Sequence, residues 1–177
     1  MDKEDRWIWK EGEEFGYTVK SAYLRLREDG VGENGTVCKN FWKSKVVPTA
    51  LVMTWRVLEN KLATKANLER REIIVASSTC SLCGVEEETN THLFFECIFA
   101  WLLWNHCYAW LGVLSVFHNV PLLNFSQFTP DSVNEIWGVV WIAVVNEVWK
   151  HRNMVIFNRG VVDVLEAFAL VQLKAWS

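Results

Sequence analysis

The chain has 177 residues, 51% of them hydrophobic, with 11 tryptophans and a formal net charge of −3. This is too apolar for a disordered segment and long enough for a core that buries about 70% of the unfolded surface. Five cysteines are an odd number and the opening MDKEDRWIWK is charged, which excludes a secreted disulfide scaffold and points to an intracellular, reducing compartment. No compact basic cluster decides between nucleus and cytoplasm.

Residues 1–17 read as an N-terminal extended segment, two short pieces around Trp7, Ile8 and Trp9 joined by a turn at Glu11 to Glu14. Thr18 is placed to cap a first helix with Val19, Tyr23 and Leu26 on one face. Residues 29–38 hold three glycines and form a loop, and NFWKSK follows as a short turn of helix that buries Phe41 and Trp42. Pro48 opens the next helix, in which Leu51, Trp55, Leu58 and Leu62 share a face while Arg56 and Lys61 turn to solvent. Thr64 caps KANLERRE, which places Leu68 inward and Lys65, Arg70 and Arg71 outward. IIVASSTC then leads into the most informative stretch of the chain.

That stretch is CSLCGVEEETNTHLFFEC, with Cys80 and Cys83 two residues apart, then His92 and Cys97. Two thiolates bracketing two residues can meet one ion across a tight turn, and Gly84 supplies a residue that tolerates positive φ where the knuckle folds back. Thr89, Asn90 or Thr91 can cap the helix that LFFECIFAWLLW predicts, putting His92 in its first turn. A Cys3His set fills all four positions of a structural zinc and leaves none for water or substrate. The fourth ligand is the open choice. A five-residue step from His92 to Cys97 is out of phase on an ideal helix and needs local distortion, so Glu96 and His106 compete with Cys97.

The helix carrying His92 is apolar on nearly all sides through Trp110, which predicts a central position. From Ile98 to Pro130 there is no Asp, Glu, Lys or Arg, but Asn105, His106, His118, Asn119 and Asn124 interrupt the run, so it reads as core and not as a membrane span. Thr129, Pro130 and Asp131 mark a new helix start, followed by a stripe of Val133, Trp137, Val140, Trp141, Val144, Val148 and Trp149, ending near Asn158 to Gly160. A last helix lies within 161–176, with Val164, Phe168, Val171 and Trp176 partly aligned. His106, His118 and His151 lie outside any ligand spacing and read as capped or surface histidines, and Cys38 and Cys107 as packed thiols. The fold class is mainly α: a helical zinc-binding domain at 18–111 whose Cys3His knuckle leads into a central helix, a linker at 112–130, and a C-terminal helical extension at 131–177.

Five blocks in order, GYTVKSAY, FWKSKVVP, TWRVLENKLATKANLERR, the CSLCGVEEETNTHLFFEC knuckle with Trp104 after it, and WKHRNMVIFN, resemble the plant reverse transcriptase zinc-binding domain of non-LTR retrotransposon proteins. The resemblance runs over roughly residues 5 to 177. It implies Cys80, Cys83, His92 and Cys97 as zinc ligands and a non-catalytic accessory that helps hold RNA or DNA. Related chains often carry a Lys after the FWKS block where this one has Thr49, Ala50 and Leu51, which weakens one part of a phosphate-binding surface.

Charge supports the same direction. Residues 39–71 carry Lys39, Lys43, Lys45, Arg56, Lys61, Lys65, Arg70 and Arg71 against Glu59 and Glu69 only, in a chain that is otherwise net acidic. Lys43, Lys45, Arg56, Lys61, Lys65, Arg70 and Arg71 are the candidate phosphate contacts, and the run Glu86 to Glu88 argues against the knuckle tip as one. No Asp-Asp pair exists for a two-metal polymerase site, and the acids are not gathered as a ribonuclease H site requires. The competing reading is a zinc-stabilised structural or interaction remnant whose Trp-rich helices, with Trp137, Trp141 and Trp149, meet a polymerase domain or a second copy.

Overall fold

The computed structural model describes residues 46–113, 118–126 and 133–176, all within one compact unit, Phe41–Ser177. The expectations for 1–45, including the extended segment, the first helix, Cys38, Lys39, Lys43 and Lys45, lie outside these residues. Helices α1 (Pro48–Leu58), α2 (Lys65–Glu69), α3 (Ile98–Leu111), α4 (Pro121–Ser126), α5 (Val133–Asn158) and α6 (Val164–Ala175) are joined by a π-helical turn at His92–Glu96. Among the described residues the chain is mainly helical and has no strand, only one antiparallel bridge between Thr79 and Glu87.

Pro48 opens α1, where its missing N–H costs nothing. The helix is shorter than its apolar spacing predicts: it stops at Leu58, and Asn60 takes a left-handed φ of 51°. Leu62 is buried from the following loop, and the buried face is Leu51, Thr54 and Val57, with Trp55 only half-buried. Asn67 organises this corner, its amide nitrogen donating to Asn60 O, Asn60 Oδ1 and Leu62 O. Thr64 caps α2 as expected, accepting the Asn67 N–H, but Asn67 and not Leu68 is the fully buried residue.

The single helix expected from His92 to Trp110 is two pieces. Cys97 breaks it with ψ 135°, and α3 begins at Ile98. Phe99, Ala100, Leu103, Trp104, Cys107 and Tyr108 face the core, whereas Ile98, Trp101 and Leu102 are exposed, so α3 is packed on one side and not central on all. Gly112, at φ 65°, ends it in a left-handed cap.

Helix α5 runs 26 residues and buries the expected Trp137, Val140, Trp141, Val144 and Val148, with Trp149 half-buried. Its buried face is broader than the stripe, because Ile142, Ala143, Val145, Glu147, His151 and Arg152 are also enclosed. α6 packs on α5 and α3 through Ala167 and Val171, and Lys174 pairs with buried Glu147, while Trp176 is exposed.

The core is built on tryptophans whose polar edges are answered. The Trp104 indole donates to Phe94 O at 2.8 Å, Trp141 to Asn124 Oδ1 at 2.9 Å and Trp137 to Asn124 O at 3.3 Å. Phe95 stacks on Trp104 with ring centres 6.2 Å apart and 12° between planes, and Trp104 meets Trp137 and Trp141 at 5.8 and 6.1 Å. This cluster backs the π turn directly. Trp137 and Trp141 have no exposed surface, so they are core and offer nothing for docking.

Candidate metal centre

The Thr79–Glu87 bridge brings the two arms of the knuckle together, Cys80 N donating to Glu86 O at 2.6 Å and Glu88 N to Ser78 O at 2.8 Å. Gly84 N closes the turn on Cys80 O at 2.8 Å, with Gly84 at φ 70° as the sequence requires. Thr89 is the capping residue of the next turn, its hydroxyl accepting the His92 N–H at 3.0 Å. Asn90 ties the same segment to α1 by donating to Val57 O at 3.0 Å.

The distortion that the His92-to-Cys97 spacing demands is the π turn. At about 100° per residue a five-residue step on an α-helix ends on the wrong side. Here the Cys97 N–H reaches back five residues to His92 O at 2.7 Å, and both side chains face one point.

The outcome is a four-residue cluster. The ligand-type atoms of Cys80, Cys83, His92 and Cys97 all lie within 4.8 Å of one another. Cys80 Sγ is 3.9 Å from Cys97 Sγ, and Cys83 Sγ is 3.3 Å from His92 Nε2. Tetrahedral zinc with Zn–S near 2.3 Å and Zn–N near 2.0–2.1 Å needs ligand separations of about 3.5–3.8 Å, so the cluster has the right size for that ion. Cys80, His92 and Cys97 are buried and Cys83 is half-buried.

The electrostatics favour a cation at the same point. Three sulfurs this close cannot all ionise without a cation among them. The sulfur–sulfur hydrogen bond between Cys80 and Cys97, against the opposing effect of burial, brings Cys80 down to about 5, and the same bond together with burial pushes Cys97 far up. A divalent ion supplies the charge that lets all three act as thiolates.

Neither competing ligand joins the cluster. Glu96 is exposed on the π turn with Oε1 accepting from Asn119 at 3.2 Å, and His106 on α3 packs against the Phe168 ring. His151 is buried and not at the surface, its Nδ1 lying 3.0 Å from Glu147 O and its ring 5.4 Å from that of Phe99. Cys107 is a packed thiol, pushed up to about 12 by burial.

The basic residues divide. Arg56, Lys61, Arg70 and Arg71 are exposed, and the last three meet around one corner: Arg71 donates to Lys61 O at 3.3 Å, Arg70 to Asn67 Oδ1, and Lys61 Nζ lies 4.9 Å above the Trp55 ring. Lys65 is half-buried and donates to Thr79 O at 2.6 Å, which binds α2 to the knuckle. Glu86 and Glu87 are exposed near His92.

Sequence reasoning missed the buried pair Glu88–Arg152. Glu88 reads as the end of an acidic run, yet it is fully enclosed. Burial alone would raise its carboxyl, but the hydrogen bonds and charge of Arg152, with help from Ser81, outweigh this and lower it. The one available signal was the WKHRNMVIFN block, which carries Arg152 without revealing its partner.

Among the described residues no helix is long and apolar enough to cross a membrane. A family model described as zinc-binding in reverse transcriptase matches residues 17–104, a span that holds all four clustered residues. No curated protein matches the chain, and no solved structure does. The matched family and the cluster agree on zinc: over residues 17–104 the chain belongs to the zinc-binding domains of reverse transcriptase, an accessory region distinct from the catalytic one.

Proposed function

We propose that Cys80, Cys83, His92 and Cys97 are the ligands of a structural zinc ion, and that the domain is a non-catalytic accessory which holds RNA or DNA on a basic surface. The convergence of four ligand atoms within 4.8 Å carries the zinc reading. A closed Cys3His set offers no position to substrate, and Glu96, the carboxylate next to Cys97 in the chain, is tied to Asn119. Both features support a scaffold ion.

The exposed corner of Lys61, Arg70 and Arg71, with Arg56 nearby in sequence, supports the nucleic-acid reading. Lys61 lies over Trp55, which places a cation and an aromatic face together, a pairing suited to a phosphate and a base. Lys43 and Lys45, which lie outside the described residues, enter this reading by their charge in the sequence alone. Lys65 serves mainly inside the fold.

The test is binding of the zinc-loaded chain to single-stranded RNA and to duplex DNA over a salt series. The variant carries Arg56, Lys61, Arg70 and Arg71 changed to Gln, with Lys65 left in place. Binding that weakens with salt and falls uniformly in the variant supports the reading. Absence of binding at low salt, with zinc and helicity intact, refutes it in favour of a structural or interaction module. For that second reading the relevant observation is the outward face of α3, where Ile98, Trp101 and Leu102 are 57%, 45% and 37% exposed.

A further inference from the structure

Arg152 lies in the WKHRNMVIFN block, beyond the matched span, and neither zinc ligation nor the basic surface accounts for it. It is buried in α5. Its Nε and Nη2 donate to Glu88 Oε1 at 3.1 and 2.6 Å, its Nη2 also to Ala63 O at 3.3 Å and its Nη1 to Asn153 Oδ1 at 3.0 Å. The Trp149 ring lies 4.8 Å from the guanidinium carbon.

Glu88 falls between Cys83 and His92, and besides Arg152 its carboxylate reaches two other segments. Oε2 accepts the backbone N–H of Ser81, inside the Cys80–Cys83 turn, at 3.1 Å. Oε1 accepts the N–H of Lys65 at the start of α2, also at 3.1 Å. The Glu88 backbone bonds Ser78 O and Ala66 N in the same region. A fully enclosed carboxylate can hold these donors as an anion only while a buried cation opposes it, and Arg152 is the cation that does so, through a two-point contact.

We infer that Arg152 is a positioning residue for the metal centre: acting through Glu88, it ties the Cys80–Cys83 turn to α5, whose Trp149 ring stacks on Phe94 of the π turn with ring centres 6.4 Å apart, and so holds the two turns in register. Zinc affinity thus depends on a helix outside the matched span. The inference rests on the Cys3His ligand reading. It differs from a simple staple between α5 and the knuckle, which would stabilise the chain equally with and without metal.

The experiment measures zinc affinity of the full chain by competition with a chelator, together with thermal stability of the metal-free and zinc-loaded forms. Arg152→Gln is expected to bind one zinc per chain about 10-fold more weakly, the low end of the loss for groups that bond a ligand directly, because Arg152 acts through Glu88 and the Ser81 N–H. Arg152→Lys should fall between, since it keeps the charge without the fork. The pair Glu88→Gln with Arg152→Met should bind zinc more tightly than Arg152→Met alone, because no buried charge is left unopposed.

Zinc affinity within twofold of wild type in Arg152→Gln, with equal loss of stability in both forms, would overturn the inference. Should Arg152→Gln fail to fold, unchanged affinity in Arg152→Lys and no gain in the paired variant would overturn it equally. Failure of the ligand reading looks different: Cys97→Ser would then retain stoichiometric zinc whatever stands at 152.

Discussion

Trp104 is fully buried, and its indole N–H donates to the carbonyl of Phe94 inside the π turn at 2.8 Å. Trp104→Phe removes that donor and leaves a buried carbonyl unpaired, a cost of about 1–3 kcal/mol. The missing ring leaves a gap of a few tens of Å³ against Phe95, Trp137 and Trp141, adding about 1 kcal/mol at ~24 cal/mol per Å³. Together these give about 2–4 kcal/mol, or a fall in Tm of roughly 5–15 °C for a chain of this size. Because the bond fastens the turn that presents His92 and Cys97, zinc should also dissociate more readily. Urea unfolding followed by circular dichroism, with chelator competition alongside, measures both. Trp137→Phe is the control, since its indole bonds Asn124 and not the π turn. A loss below about 1 kcal/mol, or a zinc affinity no weaker than that of Trp137→Phe, would refute the role given to Trp104.

Three further outcomes are expected. Cys97→Ser should lose stoichiometric zinc while Glu96→Gln keeps it, because only Cys97 sits in the cluster; zinc content by atomic emission decides. Buried His151 is held below its ordinary 6.5, burial outweighing the opposing pull of Glu166 and Asp163. The unfolded chain therefore takes up this proton first as pH falls through 6.5, and stability declines below that pH until the folded form also protonates. His151→Leu should flatten that decline in urea unfolding between pH 7.5 and about 5.5, and the comparison cancels the ligand protons that both proteins share. Parallel pH dependence would contradict it. Gly84→Ala meets open space at φ 70°, so only backbone strain remains, about 1–2 kcal/mol by urea unfolding with zinc stoichiometry unchanged.

Much of this was legible in local chemistry. Pro48, Thr64 and Gly84 each do in the structure what their backbone preferences dictate, and the α5 stripe follows helical period. The five-residue step from His92 announced a distortion, and the π turn is that distortion. What could not be read depended on distant parts of the chain. Leu62 is in phase with Leu51, Trp55 and Leu58, yet Asn60 turns left-handed and Asn67, seven residues on, anchors the corner. Glu88 looks like its neighbours Glu86 and Glu87 until Arg152, 64 residues away, is placed against it. α3 reads as apolar all round because composition cannot say which side meets α5 and α6 and which meets water.

The central claim is a closed site of three sulfurs and one nitrogen. Zinc-edge X-ray absorption on the full chain tests it most directly. One zinc per chain, with three sulfurs near 2.3 Å and one nitrogen near 2.0–2.1 Å, is the expected result. A shell with two sulfurs and an added oxygen would contradict it, because it would open a coordination position and remove one of the three cysteines from the set.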